Sequence, residues 1–153
     1  MKYTTKTEYG LNCLLYMARH GGLQPITIKE IAAAEKYSLT YIEKILQNLR
    51  SAKIVAAQHG NHGGYVLAKR PEEITLKDVI VALEGGTFDV FCEPETRDQI
   101  VCTHYGSCGV KSVWQKAKTL LDNYFDSITL QMLLQNDFEP KFAPVSQPVG
   151  PAR

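Results

Sequence analysis

Three of the four cysteines lie within 17 residues of one another, at Cys92, Cys102 and Cys108. Nine and then five residues separate them, which matches neither the C-x-x-C pairs of structural zinc sites nor the ferredoxin patterns. Three thiolates on a glycine-containing loop suit an iron–sulfur cluster whose fourth ligand comes from elsewhere. His104, within the loop, and Glu8 are the candidates for that ligand. The spacing alone leaves a cluster, a zinc site and free thiols open.

The remaining cysteine, Cys13, lies on the apolar face of a predicted first helix, so we expect a small core residue there. The sequence contains no C-x-x-C motif, nucleophile–base pairing or phosphate loop, which argues against an enzyme. The start MKYTTKTEYG lacks the layout of a signal peptide, and no apolar run approaches the length of a membrane span. We therefore expect a cytoplasmic protein that does not associate with a membrane.

Charge is divided unequally along the chain, although the net charge is only +1. Residues 1–70 hold ten Lys/Arg and four Asp/Glu, whereas residues 71–153 hold seven and twelve. This asymmetry indicates that the first half meets a polyanion, with chance segregation of solvated charge as the alternative.

The elements that must position these groups can be outlined from periodicity and turn residues. Three helices are predicted in the first 52 residues, followed by two short strands around a glycine-rich tip, a fourth helix ending at Gly85, and a long helix over about 110–126. The fold class is mainly α with a small β-hairpin wing: a winged helix-turn-helix plus a long C-terminal dimerisation helix. The predicted segments are a DNA-binding domain (1–86), a cysteine loop (87–109), dimerisation helices (110–136) and a disordered tail (137–153).

The third helix has two chemically different faces. Ser38 or Thr40 is expected to cap it. An apolar stripe is formed by Leu39, Ile42, Ile45, Leu46 and Leu49. The opposite face carries groups that can contact base edges and phosphates, namely Thr40, Tyr41, Glu43, Lys44, Gln47 and Asn48. A polar face alone is weak evidence, because many helices simply have a solvated side, but a hairpin follows this one.

At the tip of that hairpin, His59, Asn61 and His62 surround glycines that allow close approach to a groove. Lys2, Lys6 and Arg50 are candidates for phosphate contacts, which add affinity without sequence information. One such module would bind weakly, so a homodimer on double-stranded DNA is expected, with the apolar face of the long helix as its seam.

Several segments resemble the IscR/NsrR/RirA family of bacterial winged-helix regulators, many of which sense iron, nitric oxide or redox state through an iron–sulfur cluster. These segments are Met1–Thr4, Ser38–Leu46 with Leu49-Arg50, the wing Gly63–Ala68, and Ile128–Leu130. The resemblance covers about residues 1–135. It implies a homodimeric transcription regulator, here interpreted as a repressor, whose third helix and wing contact DNA. The expected DNA-contacting residues are Lys2, Ser38, Leu39, Thr40, Tyr41, Glu43, Lys44, Gln47, Arg50, His59, Asn61, His62, Gly63, Gly64 and Tyr65.

By position, Cys92, Cys102 and Cys108 match the thiolate ligands of this family. The histidine that completes the 2Fe–2S site of IscR is replaced here by Lys111, and ammonium is not a normal cluster ligand. Some relatives use an acidic residue near the start of helix one, and Glu8 matches that position. The cluster type, 2Fe–2S or 4Fe–4S, is therefore left open. A same-fold regulator without a cluster, gated by a partner protein, a small ligand or thiol oxidation, is the alternative. His59 stands where the wing of the family often has an arginine, which implies weaker binding to DNA phosphates.

Overall fold

The computed structural model describes residues 3–21, 24–60, 62–88 and 106–136. Six α-helices, two strands and one short 3-10 turn are formed by these residues. In chain order they are α1 (Thr5–His20), α2 (Ile28–Glu35), α3 (Leu39–Ser51), β1 (Val55–Gln58), β2 (Gly64–Leu67), the 3-10 turn (Pro71–Glu73), α4 (Leu76–Glu84), α5 (Gly109–Asp126) and α6 (Leu130–Gln135). The predicted fold class, mainly helical with one hairpin, is confirmed.

The helix-turn-helix is set by local capping. Thr27 and Glu30 form a reciprocal capping box at the start of α2, as their spacing predicted. Lys36 ends α2 in the left-handed conformation at φ 59°, which turns the chain towards α3. Ser38 caps α3 by accepting a hydrogen bond from the Tyr41 backbone N–H at 3.3 Å. Thr40, the other candidate cap, lies inside the helix.

The core joins α1, α2, α3, α4 and α6. Its buried apolar residues include Leu14, Met17, Ile31, Ile42, Ile45, Leu46, Leu49, Val79, Leu83 and Leu130. Four of the five residues in the predicted α3 stripe are buried, but Leu39 is 49% exposed. The assignment of Leu39 to the buried stripe was wrong, because Leu39 is the first residue of the helix and this end of the stripe lies beyond the core.

The wing pairs β1 and β2 in antiparallel register from Val55↔Leu67 to Gln58↔Gly64. Ile26, ahead of α2, adds an isolated bridge to Tyr65 through N–O distances of 2.9 and 2.8 Å in the two directions. A Cβ built on Gly64 would lie 2.6 Å from the Ile26 carbonyl oxygen. The bridge therefore requires glycine at this position and fastens the wing to the start of the helix-turn-helix.

The end of the described chain returns to the first domain. The Leu76 N–H donates to Ile128 O and the Leu130 N–H to Ile74 O, each at 2.8 Å. Ile128 and Leu130 are 3% and 1% exposed. The sequence grouped α6 with the dimerisation segment, whereas its first residue lies in the core of the winged-helix domain. The two bonds form an antiparallel bridge between Thr75 and Thr129. This bridge explains the placement of α6, because it pairs the backbone groups on either side while Ile128 and Leu130 are buried.

Candidate nucleic-acid interface and cysteine loop

The outer face of α3 is open along its length. Ile42, Ile45, Leu46 and Leu49 are at most 2% exposed on one side. The exposed side chains of the helix and its cap are Ser38, Leu39, Thr40, Glu43, Lys44, Gln47, Asn48, Arg50 and Ser51. This face offers hydroxyl, amide, carboxylate and cationic groups, the set that matches base edges and phosphates in a major groove.

Tyr41 differs from its neighbours because it is partly buried against α1. Its ring meets Tyr9 edge-on, with centroids 5.5 Å apart and planes at 89°. Its hydroxyl oxygen lies 3.4 Å from the Thr5 hydroxyl. The phenol is therefore held in place before any ligand binds, with its oxygen at the border between α1 and α3.

A second tyrosine extends this contact to the turn between α2 and α3. Tyr9 stacks on Tyr37 with centroids 3.9 Å apart and planes at 7°. The Asn12 side-chain amide donates to the Tyr37 hydroxyl at 2.8 Å. We call Tyr9, Asn12, Tyr37 and Tyr41 the tyrosine brace. Of these contacts the sequence predicted none, since they join residues 25 to 36 positions apart.

The wing tip presents His59 and His62 to solvent. Gly60 adopts φ 126°, a conformation that favours glycine, and its carbonyl accepts from the Gly63 N–H at 2.9 Å. Added Cβ atoms at Gly63 and Gly64 would meet backbone, so both glycines have a structural reason to be present. Tyr65 is half-buried. The expected contact residues Asn61 and Lys2 lie outside the described residues.

The N-terminus of α1, which carries Lys6, is fastened to α4 by one carboxylate oxygen. Glu84 Oε1 accepts from the Thr4 N–H at 3.0 Å, the Thr4 hydroxyl at 2.7 Å and the Thr7 hydroxyl at 2.8 Å. Burial acts to raise the pKa of Glu84, but the hydrogen bonds from Thr4 and Thr7 outweigh it and hold the pKa below its ordinary value. The carboxylate also lies at the positive end of the α1 dipole.

Only one residue of the predicted cluster-ligand trio lies in the described part of the chain. Cys108 is the N-cap of α5, a partly exposed free thiol. Cys92, Cys102 and His104 lie outside the described residues. Glu8 is exposed in the first turn of α1. The described residues alone bring together no group of three or more His, Cys, Asp or Glu side chains suited to a metal.

The two described cysteines differ in chemistry. Burial, then the charge of Glu35, raises the pKa of the Cys13 thiol to about 12, so it stays protonated in the core as predicted. Cys108 stands at the N-terminus of α5 and is partly exposed, so its sulfur is accessible from outside the core. Lys111 follows one turn later and its backbone N–H donates to the Cys108 carbonyl at 3.3 Å. The thiol of Cys108 and the carboxylate of Glu8 are groups that can bind iron, whereas the ammonium group of Lys111 is not a normal cluster ligand.

Helix α5 is long and lies on the surface. None of its 18 residues is buried in the described chain. The exposed apolar side chains are Val110, Val113, Trp114 and Leu120, between 45% and 62% exposed. The side that faces its own chain is held by Asp122, which accepts a hydrogen bond from Thr87, and by Phe125, which meets Tyr3 edge-on at 5.9 Å. Among the described residues, every helix is too short or too polar for a membrane span.

A recognition helix with an open polar face, fixed beside a hairpin wing, defines a winged helix-turn-helix DNA-binding regulator. A family model described as Rrf2, iron-dependent transcriptional regulator, matches residues 3–136. The chain belongs to the Rrf2 family of transcriptional regulators, which confirms the resemblance found in the sequence.

Known relatives agree with this assignment. The protein rrf2 of Nitratidesulfovibrio vulgaris Hildenborough is 35% identical over 136 residues, 89% of each chain. The solved structure of CymR, named the global cysteine regulator of B. subtilis, aligns with a TM-score of 0.70 and 30% identity over 89% of this chain and 98% of that one. T. potens IscR aligns with a TM-score of 0.66 and 33% identity over 94% and 93%. These relatives are regulators rather than enzymes, as expected here.

Proposed function

We propose that the protein is a homodimeric transcription repressor whose DNA affinity is governed by an iron–sulfur cluster. One observation carries the proposal: Cys108 is the residue immediately before α5, the helix whose exposed apolar face is the candidate dimer seam. A group bound at Cys108 would therefore lie at the start of the element that relates the two recognition helices.

In this proposal, α3 enters the major groove and the wing contacts the flanking backbone. Thr40, Glu43 and Gln47 contact base edges, with Glu43 selecting against sites that offer it no amino group. Lys44 and Arg50 supply phosphate contacts. The other proposed contacts are Lys2, Ser38, Leu39, Tyr41, His59, Asn61, His62, Gly63, Gly64 and Tyr65. Exposure of the α3 face supports the members of this set on α3, and exposure of His59 and His62 supports those two on the wing.

A second copy of the chain is the proposed cover for α5. Val113 and Leu120 are seven residues apart, so they lie on the same side of the helix two turns apart. They are 59% and 62% exposed. Leu120→Glu places a charge in this seam, whereas Thr119→Glu adds the same charge on an exposed position well away from it. Light scattering should find a monomer for the first variant and a dimer for the second. Equal masses for both variants would exclude this seam.

Cys92, Cys102, Cys108 and Glu8 would hold the cluster, with Glu8 contributed by the same or the partner chain. When bound, the cluster supplies a centre that oxidation, nitrosylation or iron loss can alter. Protein purified without oxygen should absorb visible light and contain iron and acid-labile sulfide. Cys102→Ala should abolish all three signals, and Cys13→Ala should retain them because Cys13 is a protonated core thiol. An unchanged spectrum in the first variant, or equal DNA affinity with and without the cluster, would exclude the proposal.

The fourth ligand has a separate test. Glu8→Ala should lose the cluster faster than the parent protein. Lys111→His introduces an imidazole one helical turn after Cys108 and should restore retention in the Glu8→Ala background. Cluster loss unaffected by the Glu8 change would remove this residue from the ligand set.

A regulator without a cluster is the second candidate, and the partly exposed Cys108 thiol together with the similarity to CymR favours it. In that case iron and sulfide are absent from anaerobic protein. DNA affinity should then respond to thiol oxidation and lose that response in Cys108→Ala. If neither oxidation nor cluster loss changes DNA affinity, a partner protein or small ligand is the remaining gate.

A further inference from the structure

We propose that Asn12 and Tyr37 are positioning residues that set how selectively α3 discriminates between DNA sequences. The inference rests on the proposal that α3 contacts base edges, and it adds residues of α1 and of the turn that precedes α3. The observation behind it is the tyrosine brace, which connects α1 to the first turn of α3 at the edge of the core.

The core and the brace hold different parts of α3. Ile42, Ile45, Leu46 and Leu49 fix the buried side of the helix. The first turn, from Leu39 to Tyr41, has an exposed leading residue and lies ahead of the first of these core contacts. Its position depends on the turn that precedes it. Tyr37 occupies that turn, immediately before the Ser38 cap, and is the point at which Asn12 and Tyr9 attach.

The geometry of the brace restricts both translation and rotation of this turn. The stacked rings of Tyr9 and Tyr37 are 3.9 Å apart and nearly parallel, which limits movement along the ring normal. The 2.8 Å bond from Asn12 limits sliding within the ring plane. The edge-on contact of Tyr41 then joins the same Tyr9 ring to the helix itself. All four side chains are partly exposed, and the three rings pack against the edge of the core, where they fix this end of the helix.

Base recognition is more sensitive to such placement than phosphate binding. A bidentate contact to a base edge needs its donor within about 0.5 Å and 10–20° of the correct geometry. Flexible lysine and arginine side chains can follow a phosphate over a larger displacement. Loosening the first turn should therefore lower the ratio of specific to non-specific affinity while leaving the number of phosphate contacts unchanged.

The test uses the full chain and a DNA duplex selected from a random library by the parent protein. Affinity is compared with every single-base-pair variant of that duplex and with an unrelated duplex of the same length. Tyr37→Phe removes only the hydroxyl and should reduce the specificity ratio about fivefold, the value of one net hydrogen bond. Tyr37→Leu also removes the stack and should reduce it about tenfold or more. Salt dependence should match the parent in both.

Matched variants separate positioning from stability. Tyr16→Phe makes the same chemical change on α1, away from the tyrosine brace, where the ring lies against His20, and should leave specificity unchanged. Asn12→Leu should resemble Tyr37→Phe, and combining the two should cost no more than either alone. Asn12→Asp can accept a hydrogen bond from the Tyr37 hydroxyl and should restore most of the ratio.

The outcomes are distinct. A parent protein that binds every duplex equally overturns the proposed DNA contacts of α3 and this inference with them. A discriminating parent, with variants that melt at lower temperature yet keep its specificity ratio, overturns the inference alone and leaves the tyrosine brace as a purely structural feature. If Tyr37→Leu fails to fold, Tyr37→Phe and Asn12→Leu decide the question.

Discussion

Helices α3 and α5 are both amphipathic, but they differ in how far the rest of the chain buries their apolar faces. Four residues of α3 are buried, and its polar face is open to solvent. Helix α5 is five residues longer and buries none in the described chain, while four of its apolar side chains are exposed. The position of α3 is therefore fixed within one chain, whereas the outer face of α5 leaves apolar surface in solvent. A hydrophobic pattern predicts that a face will be buried but does not say against which molecule.

The largest expected effect comes from truncating one leucine in each helix to alanine. Leu46→Ala opens a cavity in the core and should lower the free energy of unfolding by about 2–5 kcal/mol at any protein concentration. Leu120→Ala removes a side chain that is 62% exposed in the chain. Its effect should appear only as weaker association, measured as a concentration-dependent midpoint in denaturant melts. Equal losses at high dilution would mean that α5 packs within its own chain.

The next largest effect concerns Glu84, which fastens the start of α1 to α4. Glu84→Ala removes the acceptor for three hydrogen bonds and should cost about 2 kcal/mol of unfolding free energy. Glu84→Gln keeps an acceptor oxygen and loses the charge, so its cost should be smaller.

The pH dependence of stability has a defined sign here. Because the folded pKa of Glu84 is lowered, its contribution is fully present above the ordinary glutamate value of about 4.3 and disappears as pH falls through the folded value. The gap in stability between the parent protein and Glu84→Gln should therefore narrow on acidification. A gap that stays constant between about pH 7 and pH 3 would contradict this assignment.

The smallest effect tests the open face of α3 and the wing through salt. Lys44→Ala and Arg50→Ala should each lower the slope of log affinity against log salt by about one unit. His59→Arg adds a permanent charge at the wing and should raise the slope by about the same amount. Lys116→Ala, on exposed α5, is the matched control and should leave it unaltered. If neither α3 variant moves the slope, those residues do not contact phosphates.

Local signals predicted most of the DNA-binding half. The Thr27–Glu30 spacing gave the start of α2, and the glycine-flanked tip gave the hairpin, because capping and tight turns depend on residues a few positions apart. Leu39 was misassigned because periodicity has no information about where a helix leaves the core. The choice between Ser38 and Thr40 as the cap was left open for a similar reason.

Contacts between distant positions were missed. Glu84 meets Thr4 and Thr7 across about 80 positions, and Asn12 meets Tyr37 across 25. Both contacts join polar side chains, and each residue type has an unremarkable surface role when considered alone. Periodicity can suggest which face turns inward, but only the packed helices show which polar group lies opposite another.

The antiparallel bridge between Thr75 and Thr129 gives α5 the mechanics of a lever. Its carboxyl end is pinned to the core, while Cys108 stands at the other end of the 18-residue helix. That distance is about 27 Å at 1.5 Å per residue. A tilt of about 10° around the pinned end would carry the Cys108 end through about 5 Å, by the same helix length. A small force applied at the Cys108 end would therefore act at the full length of the helix from its attachment to the core.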